Sequence, residues 1–307
     1  MNLTRRTLLK SASAATALAA TGTTGAWAAS ALTFGDMQLQ TFSDGHLSLP
    51  GDFIFADMPV DELSVLLESH GLTTGAYRSP LNITLLRHGD NLVLFDAGSG
   101  PDFVSSAGEL GTALDAANVA ADDITHVVFT HGHPDHLWGI LDDFDDPYFF
   151  NAQHMIGRVE WDYWLNPNTV DTIGDARTTM AVGAKRRLEA MQDAFSLFDD
   201  GQEILPGVAA RATYGHTPGH MSFELRSGSE SAMILGDAIT TSHVGFERPG
   251  WLSGSDQDRE TAAATRIGLL DQLAHEQMAL IGYHLPDGGF GRAEKSGDSY
   301  KFVPQES

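Results

Sequence analysis

The chain has 307 residues, a formal net charge of −23, 42% hydrophobic residues and no cysteine. This length and apolar content suffice for one large domain or two small domains with a sizeable core. The acidic charge argues against nucleic acid or an anionic membrane as a partner, because both select basic surfaces, and the lack of cysteine excludes disulfides and thiolate ligands.

The N-terminus resembles a twin-arginine export signal. Arg5 and Arg6 begin it, an alanine-rich apolar stretch follows, and Ala26-Trp27-Ala28 offers small residues for cleavage. We therefore expect residues 1–28 to be a signal peptide and residues 29–307 to form a single domain that is periplasmic or secreted. No later segment has the roughly 18 apolar residues that a membrane span requires, so no membrane partner is expected.

Beyond the signal, hydrophobic periodicity predicts strands and helices in two successive halves. Each half is rich in strands first and helical afterwards, which favours a mixed α/β fold with two packed sheets covered by helices. Predicted strands cover residues 37–42, 82–87, 91–95, 124–129, 209–214, 221–226 and 232–235, with a last apolar run at 278–283, and predicted helices cover residues 109–118, 153–198 and 256–275.

The segment 131–136 has the sequence His-Gly-His-Pro-Asp-His and directly follows a predicted buried strand. Its three imidazoles and one carboxylate supply the nitrogen and oxygen donors that suit zinc and other divalent metals. His131 and His133 are two residues apart and project to the same side of an extended segment. Asp135 and His136 follow the proline and can face a second point. The spacing therefore predicts two metal ions side by side.

Further candidate donors follow other predicted strands, each beside a glycine. His216 and His220 stand on one Pro-Gly turn, and either could be a ligand. Asp237, His284 and Asp96 each come after an apolar strand. A buried carboxylate at such a position is costly unless it is paired or bound to metal. The two oxygens of Asp237 could bridge two ions.

Taken in order, these motifs resemble the signature of the metallo-β-lactamase fold superfamily. The resemblance runs from about Met37 to the C-terminus and implies an α/β fold of the four-layer αββα sandwich type, with a dinuclear site at one edge. By this resemblance the metal-site residues are His131, His133 and His220 for the first ion, Asp135, His136 and His284 for the second, Asp237 as the bridge, Asp96 as the acid that orients the metal-binding loop, and His216 as a residue of the turn.

Within the superfamily the chain most resembles the methyl parathion hydrolase and lactonase branch, in its overall length, in Phe42-Ser43-Asp44-Gly45 at a strand end, and in His284-Leu285-Pro286 followed by a glycine-rich tail. The bridging-type Asp237 argues against β-lactamases, and the complete histidine motif argues against the oxygen-reducing diiron branch. The resemblance implies two divalent metal ions, with zinc expected and manganese, iron or cobalt as alternatives. It also implies a small-molecule substrate and a homodimer, and no nucleic acid.

The predicted activity is hydrolysis of an uncharged ester, lactone or organophosphate triester by a metal-bridging hydroxide. Asp135 and Asp237 are the predicted catalytic carboxylates, and Asp135 would orient the solvent or carry a proton to the leaving group. The alternatives are a β-lactamase or glyoxalase-type thioester hydrolase of the same fold, and a non-catalytic metal-binding protein. The substrate pocket is predicted to be apolar and lined by Trp138, Trp161, Trp164 and Phe53.

Overall fold

The computed structural model describes residues 31–305, so the predicted signal peptide lies outside the described residues. The first of its two seven-stranded sheets keeps the strands in chain order. Its strands are β1 (Ala31–Phe34), β2 (Met37–Pro50), β3 (Ala76–His88), β4 (Asn91–Phe95), β5 (His126–Phe129), β6 (Gln153–Gly157) and β7 (Phe195–Phe198). The sheet is antiparallel from β1 to β4 and parallel from β4 to β7.

The second seven-stranded sheet is antiparallel except at one pair, β11 and β12. Its strands are β8 (Glu203–Leu205), β9 (Val208–Ala212), β10 (Met221–Ser227), β11 (Glu230–Ile234), β12 (Ala279–Ile281), β13 (Phe290–Ser296) and β14 (Ser299–Pro304). The chain reaches β12 from β11 through a long helix. This is the crossover that a parallel pair requires.

Short and long helices cover the outer faces of the sheets. They are α1 (Gly51–Ile54), α2 (Val60–Ser69), α3 (Leu110–Ala116), α4 (Pro134–Leu137), α5 (Arg158–Leu165), α6 (Thr169–Thr172), α7 (Thr178–Ala190), α8 (Val244–Glu247) and α9 (Arg259–Glu276). Asp258 caps the start of α9 by accepting a hydrogen bond from the backbone of Thr261. Within residues 31–305, none of the helices combines the length and the hydropathy that crossing a bilayer would demand.

Three apolar layers hold the four-layer αββα sandwich together. Between the sheets, Phe95 and Val128 of the first pack with Phe223 and Ile281 of the second. A second apolar cluster lies between the first sheet and helices α3 and α7, and a third lies between the second sheet and α9. The predicted fold class is therefore confirmed.

The structure differs from the predicted elements mainly in two regions. The predicted helix at residues 153–198 begins and ends as a strand, because β6 and β7 extend the first sheet on either side of α5 to α7. The C-terminal segment, for which no strand is predicted, forms the hairpin of β13 and β14. Both errors have one cause: short strands with mixed polar residues are set by their neighbours in the sheet rather than by local periodicity.

Two parallel pairs of strands direct their carboxyl ends to the same edge of the sandwich. In the first sheet β4 and β5 end at Phe95 and Phe129, and in the second sheet β11 and β12 end at Ile234 and Ile281. The loops that leave these strands carry the candidate donors. The fold therefore gathers at one edge segments that lie far apart in the sequence.

Candidate metal centre

Three imidazole nitrogens from two loops form a first donor group. His131 and His133 follow β5, and His216 lies on the turn between β9 and β10. His131 Nε2 is 3.0 Å from His133 Nδ1, which is 2.9 Å from His216 Nε2. All three side chains are buried. A neutral imidazole has one acceptor nitrogen, so three acceptors aimed at one point are better satisfied by a cation than by one another.

Asp135, His136 and His284 form a second donor group, with one ligand atom from each within 4.8 Å of the others. Asp135 Oδ2 lies 3.5 Å from His136 Nε2 and 3.4 Å from His284 Nε2. Asp135 and His136 belong to α4, which starts with Pro134 in its first turn. That proline turns the chain away from the extended segment of the first group. The second set of donors therefore faces a different point.

The carboxylate of Asp237 lies between the two groups. Its Oδ2 is 3.2 Å from His216 Nε2 and 3.1 Å from His284 Nε2, and its Oδ1 is 3.2 Å from His136 Nε2. Burial opposes ionisation of this carboxyl, but the surrounding imidazoles outweigh burial and hold the pKa of Asp237 well below its usual range. One ionised carboxylate thus contacts both donor groups.

Two buried atoms in the cluster have no hydrogen-bond partner within the described part of the chain. They are His136 Nε2 and Asp237 Oδ1, which lie 3.2 Å apart but do not form a hydrogen bond with each other. An unsatisfied buried polar atom costs about 1–3 kcal/mol, so this cluster is unfavourable unless something else occupies it. The donors are nitrogen and oxygen, which zinc and related divalent ions accept. The residues present therefore fit divalent metal ions.

The charge balance of the centre also favours a cation. Burial, reinforced by neighbouring imidazoles, lowers the pKa of His131 and His133 well below the usual value, so these rings are neutral and offer lone pairs. At His136 burial acts in the same direction, but three nearby carboxylates outweigh it and raise the pKa well above the usual value. The second group therefore attracts positive charge.

His220 lies beside the centre but outside both donor groups. Its Nε2 accepts a hydrogen bond of 2.8 Å from the backbone N–H of Asp237, and its Nδ1 is 2.8 Å from Thr213 Oγ1. With both nitrogens engaged, His220 fixes the backbone of Asp237. The structure thus differs from the predicted ligand set, because it places His216 rather than His220 in the first donor group. The two histidines share one turn, and spacing along the chain could not separate them.

Oxygen atoms of the protein hold the second ring nitrogen of four donor histidines, which fixes the orientation of each of these rings. The distances are 3.0 Å from His131 Nδ1 to Thr130 Oγ1, 2.8 Å from His136 Nδ1 to Asp96 Oδ2, 3.0 Å from His216 Nδ1 to Asp256 Oδ1, and 2.9 Å from His284 Nδ1 to the carbonyl oxygen of Pro80.

Asp96 joins the end of β4 to the loop after β5. Its Oδ1 accepts a hydrogen bond of 2.8 Å from the backbone of Thr130, and its Oδ2 accepts one of 2.8 Å from the Thr130 hydroxyl. The residue has a φ of 68°, a left-handed conformation that is uncommon outside glycine, asparagine and aspartate. Asp96 therefore touches both His136 and its loop, as an orienting residue should.

Three buried residues around the centre are absent from the sequence-based site. Tyr283 stacks on the His136 ring with centroids 3.8 Å apart, and its hydroxyl donates to the backbone oxygen of Asp135. Asp256 holds His216, and Glu160 contacts both histidine-bearing loops. Of these three, only Tyr283 could have been suspected from the sequence, because it directly precedes the candidate ligand His284. Asp256 and Glu160 are ordinary acids in predicted helices.

A cavity of about 90 Å³ opens onto the donor groups. Its walls are mainly apolar, with Leu49, Phe53 and Met180 among them, and Arg177 adds a guanidinium. Arg177 Nη2 donates to the carbonyl oxygen of Gly254 at 2.8 Å. The cavity can therefore receive an apolar group beside the donors, and the Arg177 guanidinium lies at its wall.

The four predicted pocket residues do not share one location. Phe53 lines the cavity, but none of the three tryptophans is among the described residues that line it. Trp138 packs between Phe103 and the guanidinium of Arg187, Trp161 packs on Phe195, and Trp164 is completely buried. The tryptophans therefore belong to the packing of α4, α5 and α7, and the prediction that they line the pocket is corrected.

Comparison with protein families gives a match over residues 76–273 to the model of the metallo-beta-lactamase superfamily. An uncharacterized protein, YobT of Bacillus subtilis (strain 168), is 28% identical over 161 residues, which are 52% of this chain and 62% of the relative. The probable metallo-hydrolase YqjP of the same organism is 47% identical over 64 residues, 21% of this chain and 19% of the relative. The chain thus spans less than two thirds of the length of these curated relatives.

Solved structures match over nearly the whole chain. AidC, described as a dizinc quorum-quenching lactonase in complex with a product, is 25% identical with a TM-score of 0.85, and the match covers 91% of this chain and 98% of AidC. The hydrolase AbOPH of the beta lactamase superfamily is 26% identical with a TM-score of 0.84 and the same coverage. This chain is therefore similar to metal-dependent hydrolases throughout the described fold.

Proposed function

The chain belongs to the metallo-beta-lactamase superfamily, and from that premise we propose that it is a dinuclear metal-dependent hydrolase of uncharged lactones, with esters and organophosphate triesters as further substrates. The observation that carries the proposal is the position of Asp237, whose carboxylate contacts donors of both groups. Two donor groups that share a carboxylate are the arrangement that a two-metal hydrolase needs.

We assign the donors to two ions on the distances given above. Bound divalent ions, with zinc expected, would supply a Lewis acid and lower the pKa of a coordinated water. The proposed ligands are His131, His133 and His216 for one ion, Asp135, His136 and His284 for the other, and Asp237 for both.

Asp135 is the proposed proton carrier. Its Oδ2 faces the centre between His136 and His284 and also borders the cavity. A carboxylate there can accept a proton from the attacking water and return it to the leaving oxygen. The hydroxyl of Tyr283 holds the Asp135 backbone, so this carboxylate keeps its position as the proton moves.

The cavity supports a substrate with an apolar arm. Burial of apolar surface against Leu49, Phe53 and Met180 would stabilise such an arm by about 25 cal/mol for each Å² removed from water, and Arg177 can donate to a carbonyl oxygen. The net charge of −23 disfavours highly anionic substrates. The lactonase AidC provides the precedent for lactones on this fold.

The test is an activity panel on the metal-loaded protein with an acylated lactone, an aryl ester, a phosphate triester and a cephalosporin, each with and without a chelator. We expect lactone turnover to exceed the other activities and to disappear on chelation. Metal analysis should give two ions per chain. Chelator-resistant turnover, or fewer than two ions in active protein, would refute the proposal. Preferred turnover of the cephalosporin would move the function to the β-lactamase alternative.

A further inference from the structure

Glu160 is a completely buried carboxylate that no step of the proposed reaction uses. It lies on α5, and four donors surround its two oxygens. Oε1 accepts from the backbone N–H of Gly132 at 2.8 Å and from Trp164 Nε1 at 2.6 Å. Oε2 accepts from the Thr217 hydroxyl at 2.7 Å and from the backbone N–H of Gly219 at 3.0 Å.

Three of these donors belong to the two loops that carry the first donor group, and the fourth, Trp164, lies on α5 with Glu160. Gly132 stands between His131 and His133, and Thr217 directly follows His216. Glu160 therefore connects the loop after β5 to the turn between β9 and β10, that is, one sheet to the other. The paired atoms it brings together, His133 Nδ1 and His216 Nε2, are 2.9 Å apart.

The approach of α5 to both loops depends on glycine. A Cβ at position 132 would lie 2.3 Å from Trp164 Nε1, and a Cβ at position 219 would lie 2.1 Å from the backbone nitrogen of Glu160. Real Cβ atoms do not come so close to other atoms. Any other residue at either position would push a histidine-bearing loop away from the carboxylate.

The hydrogen bonds require Glu160 as an acceptor on both oxygens. Three of its four partners are N–H groups, which can only donate, and they are divided between the two oxygens, so each oxygen accepts at least one hydrogen bond. Glu160 also lies outside the lining of the cavity, as far as the described residues go. It has no path to a substrate and acts only through the loops that it holds.

We propose that Glu160 is a positioning residue that sets the spacing of His133 and His216 and thereby the affinity of the first metal position. This inference rests on the proposed metal centre. Trp164 adds to the effect, since it donates to Glu160 and packs edge-on against the His133 ring at 5.9 Å. Residues that hold metal ligands change metal affinity when they are substituted.

The test is Glu160→Gln, which keeps the size of the side chain but replaces one acceptor oxygen by an NH2 group. An NH2 group at the position of Oε2 can donate a hydrogen bond to the Thr217 hydroxyl, which can rotate to accept it. The same NH2 group cannot accept from the backbone N–H of Gly219, so that hydrogen bond is lost. We expect binding of one of two cobalt ions, measured by chelator competition, to weaken about 10- to 100-fold. The visible spectrum of the cobalt-loaded protein should change at the same time.

Glu224→Gln is the matched control. Glu224 is equally buried, on β10, but pairs with Arg211 and Arg226 and contacts no candidate ligand. The Glu224→Gln variant should bind cobalt with the affinity and the visible spectrum of the wild-type protein. Thr217→Val removes one donor to Glu160 without changing its charge, and should weaken binding in the same direction by a smaller factor than Glu160→Gln.

Three outcomes overturn the inference, and they are distinguishable. Wild-type cobalt affinity and spectrum in folded Glu160→Gln would refute the role of Glu160 alone. Equal weakening in Glu224→Gln would show a general effect of losing a buried charge. Absence of cobalt binding by the wild-type protein would refute the proposed function and this inference with it. If Glu160→Gln does not fold, Thr217→Val decides by the same measurements.

Discussion

Individual histidines in the centre are held from both sides of the ring. His216, for example, directs Nε2 to the donor groups, and its Nδ1 lies 3.0 Å from Asp256. His220, four residues later, uses both nitrogens within the protein. A candidate ligand therefore differs from a supporting histidine in having one ring nitrogen that the surrounding protein leaves free for the centre.

His216→Ala and His220→Ala should have different effects on metal content. Loss of His216 removes a donor, so we expect fewer than two ions per chain and a fall in kcat/KM beyond the roughly 100-fold that loss of a supporting residue causes. Loss of His220 leaves the N–H of Asp237 unpaired, which costs about 1–3 kcal/mol of stability, and two ions should still bind. Elemental analysis measures the metal content of each variant, and urea unfolding measures its stability. Two ions in His216→Ala would contradict the assignment.

The strands at the core of the sandwich also bury histidine away from the centre. His154, on β6, is 2% exposed, and neither ring nitrogen has a partner within the described residues. Burial lowers the pKa of His154 from 6.5 to about 4. Between these two pH values the unfolded chain binds a proton that the folded protein does not, so stability falls as the pH falls.

Replacement of His154 by Phe should reduce this acid sensitivity. From pH 7 to pH 4.5 we expect the wild-type protein to lose about 2 kcal/mol more unfolding free energy than His154→Phe, since each unit of pKa shift corresponds to about 1.4 kcal/mol. Urea unfolding of metal-free protein at both pH values provides the measurement. His275→Asn, at an exposed position on α9, is the control and should behave as wild type. Identical pH dependence in all three proteins would show that His154 contributes nothing.

The whole molecule places its candidate donors on both sheets. The first sheet supplies the loop after β5, and the second supplies the turn after β9 and the ends of β11 and β12. Ions held by this set would link the two sheets and stabilise the folded state only, because the unfolded chain cannot bring the donors together. Export by the twin-arginine route, one domain from residue 29 and a homodimer stay predictions.

Metal removal should therefore lower global stability. With free metal about 1,000-fold above its dissociation constant, one bound ion adds about 4 kcal/mol. We expect the unfolding temperature to fall on chelation and to recover when zinc is returned. The same scan on His216→Ala should show a smaller fall, since this variant holds less metal to begin with. If the chelator left the unfolding temperature unchanged, this would contradict the proposal that bound metal links the two sheets.

The sequence by itself determined the αββα sandwich and most of the candidate donors. Six consecutive residues from His131 to His136 hold four donors, and neighbours this close in the chain stay together in any fold. Asp237 and His284 follow strongly apolar strands, so their placement at strand ends depended only on local pattern. The parallel pairs β4/β5 and β11/β12 then brought these ends to one edge.

Only the tertiary structure decided between His216 and His220, removed the tryptophans from the pocket and revealed Glu160. Each of these depends on which atoms from distant segments meet within about 3 Å, the range of a hydrogen bond. A pattern along the chain states that a side chain is buried but not what it contacts. The roles proposed for the residues around the centre therefore depend on contacts between the sheets and α5, which no local pattern contains.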